Sequence, residues 1–144
     1  MKTRVLIVDD EKEFVELVSE RLTMRDYDVT TAFSGEEALE TVKKYNFDIV
    51  VLDVLMPGID GIETLREIKR IKPLTEVILL TGNAAVDTAI EGMRLGAFDY
   101  LTKPCEISDL VGKLDKAHGR KAEQEERIRA AKVEDIVSSP RSVL

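Results

Sequence analysis

Three stretches of this chain are apolar without interruption, and each stops at a polar side chain: Leu6-Ile7-Val8 before Asp9-Asp10, Ile49-Val50-Val51-Leu52 before Asp53, and Val77-Ile78-Leu79-Leu80 before Thr81. A strand with one wet face alternates apolar and polar residues, whereas short continuous runs of this kind suit strands buried on both faces. Strands of that type belong to a parallel sheet covered by helices on both sides, because parallel neighbours need crossovers and helices supply them. With Asp28-Val29-Thr30-Thr31-Ala32 and Phe98-Asp99-Tyr100-Leu101-Thr102, five strands are expected near residues 4–8, 28–32, 48–52, 76–80 and 98–102. The second is the most polar and suits an edge.

Helical spacing fills the gaps. Phe14, Val15, Leu17, Val18 and Leu22 predict a helix near 11–24, and Ser34-Gly35-Glu36-Glu37 reads as a capping box opening one near 35–44. Asp60-Gly61-Ile62-Glu63 gives a similar start for 61–71, which Pro73 closes, and Gly96 is a stop for 84–95. A last helix begins near Glu106 with Ile107, Leu110, Val111 and Leu114 on its core face, and Gly119 offers an end for it. The body therefore spans residues 1–117, followed by a helical extension and a frayed end at Ser138-Ser139-Pro140 over 118–144.

Composition narrows the partners. The formal charge is −7, with 15 basic against 23 acidic residues up to 117 and 6 against 5 beyond it. An acidic body disfavours phosphate-driven nucleic-acid binding. One cysteine, Cys105, excludes an internal disulfide, no apolar stretch approaches the roughly 20 residues of a membrane span, and a cytoplasmic location is expected.

In a doubly wound sheet, sites form beyond the carboxyl ends of the strands. Asp9, Asp10, Asp53, Thr81 and Lys103 all fall there. Carboxylates sharing such a pocket repel by about 4 kcal/mol per pair at about 4 Å and an effective dielectric of about 20. Lys103 relieves part of this, and a hard divalent ion such as Mg²⁺, which keeps waters for phosphate oxygens, suits the remainder. Asp53 is then placed to attack phosphorus, and the Thr81 hydroxyl to meet the added phosphoryl group. Asp9-Asp10 before Glu11 also suits a helix cap.

Ile7-Val8-Asp9-Asp10-Glu11, Leu52-Asp53-Val54-Leu55-Met56-Pro57-Gly58-Ile59-Asp60-Gly61, Leu80-Thr81-Gly82 and Gly96-Ala97-Phe98-Asp99-Tyr100-Leu101-Thr102-Lys103-Pro104 together resemble the receiver domain of two-component response regulators. The likeness covers residues 3–117. It implies a flavodoxin-like α/β fold with strand order 2-1-3-4-5. It also implies that Asp53 is the phosphoacceptor, that Asp10, Asp53, the Leu55 carbonyl and, through water, Asp9 hold Mg²⁺, and that Lys103 pairs with the phosphoryl group beside a cis bond to Pro104. Tyr100 matches the aromatic position that turns inward as the Thr81 side moves. Implied partners are a sensor histidine kinase or phosphotransfer protein as donor and a downstream protein target, with no nucleic acid or membrane. Turnover enzymology is not implied, only a switch with intrinsic autophosphorylation and autodephosphorylation. In similar proteins the residues two after the acceptor and two after the threonine border the path of attacking water, here Leu55 and Asn83; Leu55 cannot orient it, so slow loss of phosphate is expected.

Other readings of the same pattern fail on particular residues. A haloacid dehalogenase-type phosphatase needs a second acid two residues after the nucleophile, where Leu55 stands, and a flavin mononucleotide site needs a Ser/Thr/Gly-rich loop where Asp9-Asp10-Glu11 stands. A pseudo-receiver acting only as an interaction module would lack an acid or the lysine. Residues 81–105 are similar in style to receivers of enhancer-binding ATPase activators. The 27 residues after 117 are too few for a winged helix, so the expectation is a stand-alone receiver. Its extension either pairs with another copy or stays solvated, and Lys121 and Gln124 interrupt the heptad that pairing would use.

Overall fold

A computed structural model describes residues 2–56, 58–82 and 86–138, without the side chains of Val86 and 135–138. Pro57, Asn83 and the expected frayed end from Ser139 lie outside the described residues. The elements alternate as β1 (Arg4–Val8), α1 (Lys12–Thr23), β2 (Asp28–Ala32), α2 (Gly35–Lys44), β3 (Ile49–Asp53), α3 (Gly61–Ile71), β4 (Glu76–Thr81), α4 (Val86–Arg94), β5 (Asp99–Thr102) and α5 (Ile107–Ser138). All strands are parallel, in the order β2-β1-β3-β4-β5. The polar strand β2 is indeed an edge.

The continuous apolar runs are divided residue by residue between two cores. Leu6, Val8, Val50, Leu52, Val77 and Leu79 face Ala38, Val42, Leu65 and Ile68 of α2 and α3. Val5, Ile7, Ile49, Val51, Ile78 and Leu80 face Val15, Val18 and Leu22 of α1 and Leu110, Leu114 and Ala117 of α5. Successive side chains of a strand point to opposite faces, so a strand lacking polar positions needs apolar cover on both. Fully burying each such side chain contributes about 1.5–3 kcal/mol.

Local signals set the helix ends. Ser34 Oγ accepts from Glu37 N at 3.1 Å, while Glu37 reaches back to Phe33 N at 3.0 Å, one residue before the cap. Asp60 Oδ1 accepts from Glu63 N at 2.8 Å, but Glu63 turns outward to Arg66 instead of closing a reciprocal box. Gly96 has φ +104, which allows Ala97 N to bond back to Gly92 O at 3.0 Å and stop α4. Helix α1 departs from expectation: its N-cap is Glu11, with no side-chain cap. Asp10 does not cap it, and Asp9 instead accepts from Glu11 N at 3.0 Å.

The larger departure is α5, which passes through Gly119 and runs 32 residues, about 48 Å at 1.5 Å per residue. A glycine inside a helix costs only about 1 kcal/mol relative to alanine, and two ion pairs beyond it offset that. Arg120 Nε lies 3.1 Å from Glu76 Oε2, and Lys121 Nζ lies 3.2 Å from Asp48 Oδ1. Helix and body are therefore joined past residue 117. Among the described residues no helix is long and apolar enough to cross a membrane.

Candidate functional site

Strand ends and the turns after them bring the chemistry to one edge of the sheet. Asp53 is the last residue of β3, paired in register with Leu80, so Thr81 stands one step further along β4, itself paired with Thr102. Asp9 and Asp10 follow β1, and Lys103 follows β5. Lys103 N donates to Thr81 O at 2.7 Å, carrying the pairing past the strands and fixing where the lysine leaves the sheet. Its bond to Pro104 is cis, as the resemblance implies.

Four of the five expected polar residues converge. One carboxylate oxygen from each of Asp9, Asp10 and Asp53 lies within 4.8 Å of the others, Asp9 and Asp53 being buried and Asp10 exposed. Lys103 Nζ is 2.5 Å from Asp9 Oδ2 and 3.7 Å from Asp53 Oδ2. Thr81 is buried at the rim, where its hydroxyl reaches Leu101 O only at 3.5 Å, so it is weakly held. Tyr100 is exposed on the β5 edge. Leu55 is exposed in the loop after β3, where its N–H donates to Asp53 Oδ1 at 3.2 Å.

Sequence reasoning missed two partners of the lysine. Glu11 Oε1 lies 3.0 Å from Lys103 Nζ, and the Phe14 ring centroid lies 4.5 Å from the same nitrogen. Glu11 follows directly on the acid pair, which was the available signal. Helical spacing places Phe14 on the helix face, and its ring also gives the ammonium an apolar, weakly attractive wall.

The electrostatics follow from this crowding. Desolvation pushes the Asp53 carboxyl up to about 6; the Leu55 N–H opposes this, Asp9 adds to it, and Lys103 counters in turn. Burial works against the Lys103 ammonium, but hydrogen bonds to Asp9 and Glu11 and the charges of Asp53 and Asp9 outweigh it and hold its pKa above the ordinary value. One lysine thus serves three carboxylates, Asp9, Glu11 and Asp53, with Asp10 close beside them. Burial also raises the Cys105 thiol, with Asp109 adding to the effect, so its thiolate is disfavoured.

The donor set suits a hard cation. It is all oxygen, negatively charged and open to water on the Asp10 side. Mg²⁺ takes oxygen ligands of this kind, few carboxylates with water completing the set, and these residues would hold it.

Residues 5–115 match the model of the response regulator receiver domain. The chain is 41% identical over 113 residues to the transcriptional regulatory protein ZraR of Escherichia coli K12, which covers 78% of this chain and 26% of that protein. It therefore spans about a quarter of that relative's length. Among solved structures, a response regulator receiver domain from Clostridium thermocellum superposes with a TM-score of 0.80 at 37% identity, covering 83% of this chain and 97% of that one. NtrX from Brucella abortus superposes with a TM-score of 0.85 at 29% identity, covering 90% and 30%.

Proposed function

We propose, for a chain that belongs to the family of response regulator receiver domains, that Asp53 accepts a phosphoryl group and that the modified chain signals by protein contact. The observation that carries this reading is the Asp53 carboxylate: buried at the end of a central strand, crowded by two further acids and facing a single lysine across 3.7 Å. With its carboxyl at about 6, Asp53 is mostly ionised near neutrality and so available as a nucleophile.

The donor is a phosphohistidine on a sensor kinase or a phosphotransfer protein. As an Asp53 oxygen bonds to phosphorus, the phosphorus–nitrogen bond breaks and the imidazole leaves with the electron pair. Lys103 exchanges part of its contact with Asp9 for a phosphoryl oxygen. Asp10, Asp53, the Leu55 carbonyl and, through water, Asp9 would hold Mg²⁺, which would supply charge neutralisation on the phosphoryl oxygens. The Thr81 hydroxyl, weakly engaged at 3.5 Å, donates to the new group and draws its loop inward.

Tyr100 then moves from its exposed position into the space Thr81 vacates, and the face built from α4, β4, β5 and α5 meets a downstream protein. The face carries Ile90 and Met93, both exposed apolar residues that a protein partner can cover. The acidic body makes direct nucleic-acid contact unfavourable in this segment. We place the reaction in the cytoplasm, where kinase domains have access. The described residues 118–138 extend α5 rather than build a second core, and their exposed Ile128 and Val133 offer contacts for another copy.

Intact mass after incubation with acetyl phosphate tests the reading. A single Mg²⁺-dependent phosphoryl adduct is expected on the wild type and none on Asp53→Ala. An adduct that persists in the variant contradicts it.

A further inference from the structure

We propose that Glu36 is a positioning residue for the acceptor site, pinning the loop after Asp53 from the first turn of α2. The inference rests on the receiver reading of that site. Glu36 is far from Asp53 in sequence and exposed, and neither composition nor motif singles it out. Its Oε1 nevertheless accepts a hydrogen bond from Ile59 N at 2.9 Å, linking elements 23 residues apart.

The surroundings are built for that contact. Gly58 has φ +83, and a Cβ there would lie 2.8 Å from Glu36 Oε1, so the turn presents backbone alone to the carboxylate. Gly35 lets the helix start abut the same loop: a Cβ at 35 would fall 2.6 Å from Ile59 Cγ2 and 2.9 Å from Ile59 O. The Ile59 N–H is the leading cause that holds the Glu36 carboxyl below the usual range. On the other side, the loop is tied to Asp53 itself through Leu55 N and Oδ1 at 3.2 Å.

Leu55 is thus held to the acceptor and Ile59 to α2. Backbone atoms beside Asp53 must be still to serve an ion or phosphoryl oxygen, since ordering them at the moment of binding would weaken it. Glu36 supplies that order beforehand. It touches neither substrate nor cation.

The test compares the wild-type chain with Glu36→Ala, Glu36→Gln and, as a control on the same helix, Glu40→Ala. Two readouts are taken: amide hydrogen exchange at Leu55, Gly58 and Ile59 in metal-free protein, and the Mg²⁺ dissociation constant by calorimetry. Glu36→Ala is expected to speed exchange at Ile59 and weaken Mg²⁺ binding, each by about tenfold, the worth of one charge-assisted hydrogen bond. Glu36→Gln should recover most of both, because its amide oxygen accepts the same N–H, and Glu40→Ala should match the wild type. Unchanged exchange and affinity in Glu36→Ala would overturn the proposal, as would equal loss in Glu40→Ala. A wild type that binds no Mg²⁺ would instead defeat the receiver reading, while the exchange data would still decide whether Glu36 pins the loop.

Discussion

At the carboxyl ends of the strands, Asp9, Asp10 and Asp53 crowd together, and the one lysine that reaches Asp9 and Asp53 is also claimed by Glu11. At the amino ends, Glu76 and Asp48 are answered by Lys69, Arg120 and Lys121, with Lys69 Nζ 3.6 Å and Arg120 Nε 3.1 Å from the Glu76 carboxylate. Both ends bury acid: Asp9 is 0% and Glu76 1% exposed. They differ in compensation. The first cluster keeps an unanswered negative charge and has reason to take up a cation; the second is internally paired and holds α5 to the sheet. Burial of a carboxylate does not by itself mark function, and the sum of charge around it separates the two cases.

Removing Glu76 should expose this difference most strongly. Its carboxylate meets its cations at ion-pair distance but outside hydrogen-bond alignment, and Lys69, already lowered in pKa by burial, would be left without its acid. Glu76→Ala should cost about 3 kcal/mol in urea unfolding, the low end for breaking a buried pair, with Mg²⁺ affinity unchanged. A matching loss of Mg²⁺ binding would mean that the two ends are not independent.

Asp53→Asn should act in the opposite sense. A carboxyl raised to about 6 is above its unfolded value, so between pH 4 and 6 the folded state holds more protons and stability falls as pH rises; below both values the group has no effect. Metal-free wild type should therefore lose about 2 kcal/mol over that window after allowance for screening. Asp53→Asn should not, and saturating Mg²⁺ should erase the difference near neutrality. Flat stability in the wild type would show that the cluster is compensated after all.

Under the proposed function, Leu55 should set the lifetime of phosphorylated Asp53. Exposed beside Asp53 and without a polar atom on its side chain, it cannot hold water in line. Replacing it with asparagine should speed loss of phosphate by about tenfold, one oriented hydrogen bond's worth of barrier at about 1.4 kcal/mol. Mass spectrometry of the adduct over time gives the rate. The smallest effect is expected at Gly119, whose Cβ position is open. Gly119→Ala should raise stability by about 0.8 kcal/mol if α5 beyond it unfolds together with the sheet, and by nothing if the Arg120 and Lys121 pairs do not couple them.

Much of the carboxyl end was legible because its residues sit at strand ends, where an apolar run fixes direction and the next polar side chain inherits the site. The same logic placed β2 at an edge and Gly96 after α4. Glu11 was marked only by its place after the acid pair and Glu36 by nothing, since each acts on a partner brought near only by the fold: Lys103 across the sheet edge, and Ile59 across a loop. Gly119 misled for an energetic reason. A local propensity of about 1 kcal/mol was read as a stop, while the ion pairs that offset it join residues 44 and 73 positions apart, Arg120 to Glu76 and Lys121 to Asp48.

The most direct test of the contrast between the two ends is a titration of isotopically labelled protein with Mn²⁺, a paramagnetic stand-in for Mg²⁺, followed by amide line broadening. The account predicts broadening first around Asp9, Asp10 and Asp53, its loss in Asp10→Asn, and undisturbed signals around Asp48, Glu76 and Arg120. Broadening that begins at the Glu76 end, or spreads evenly over both, would contradict it.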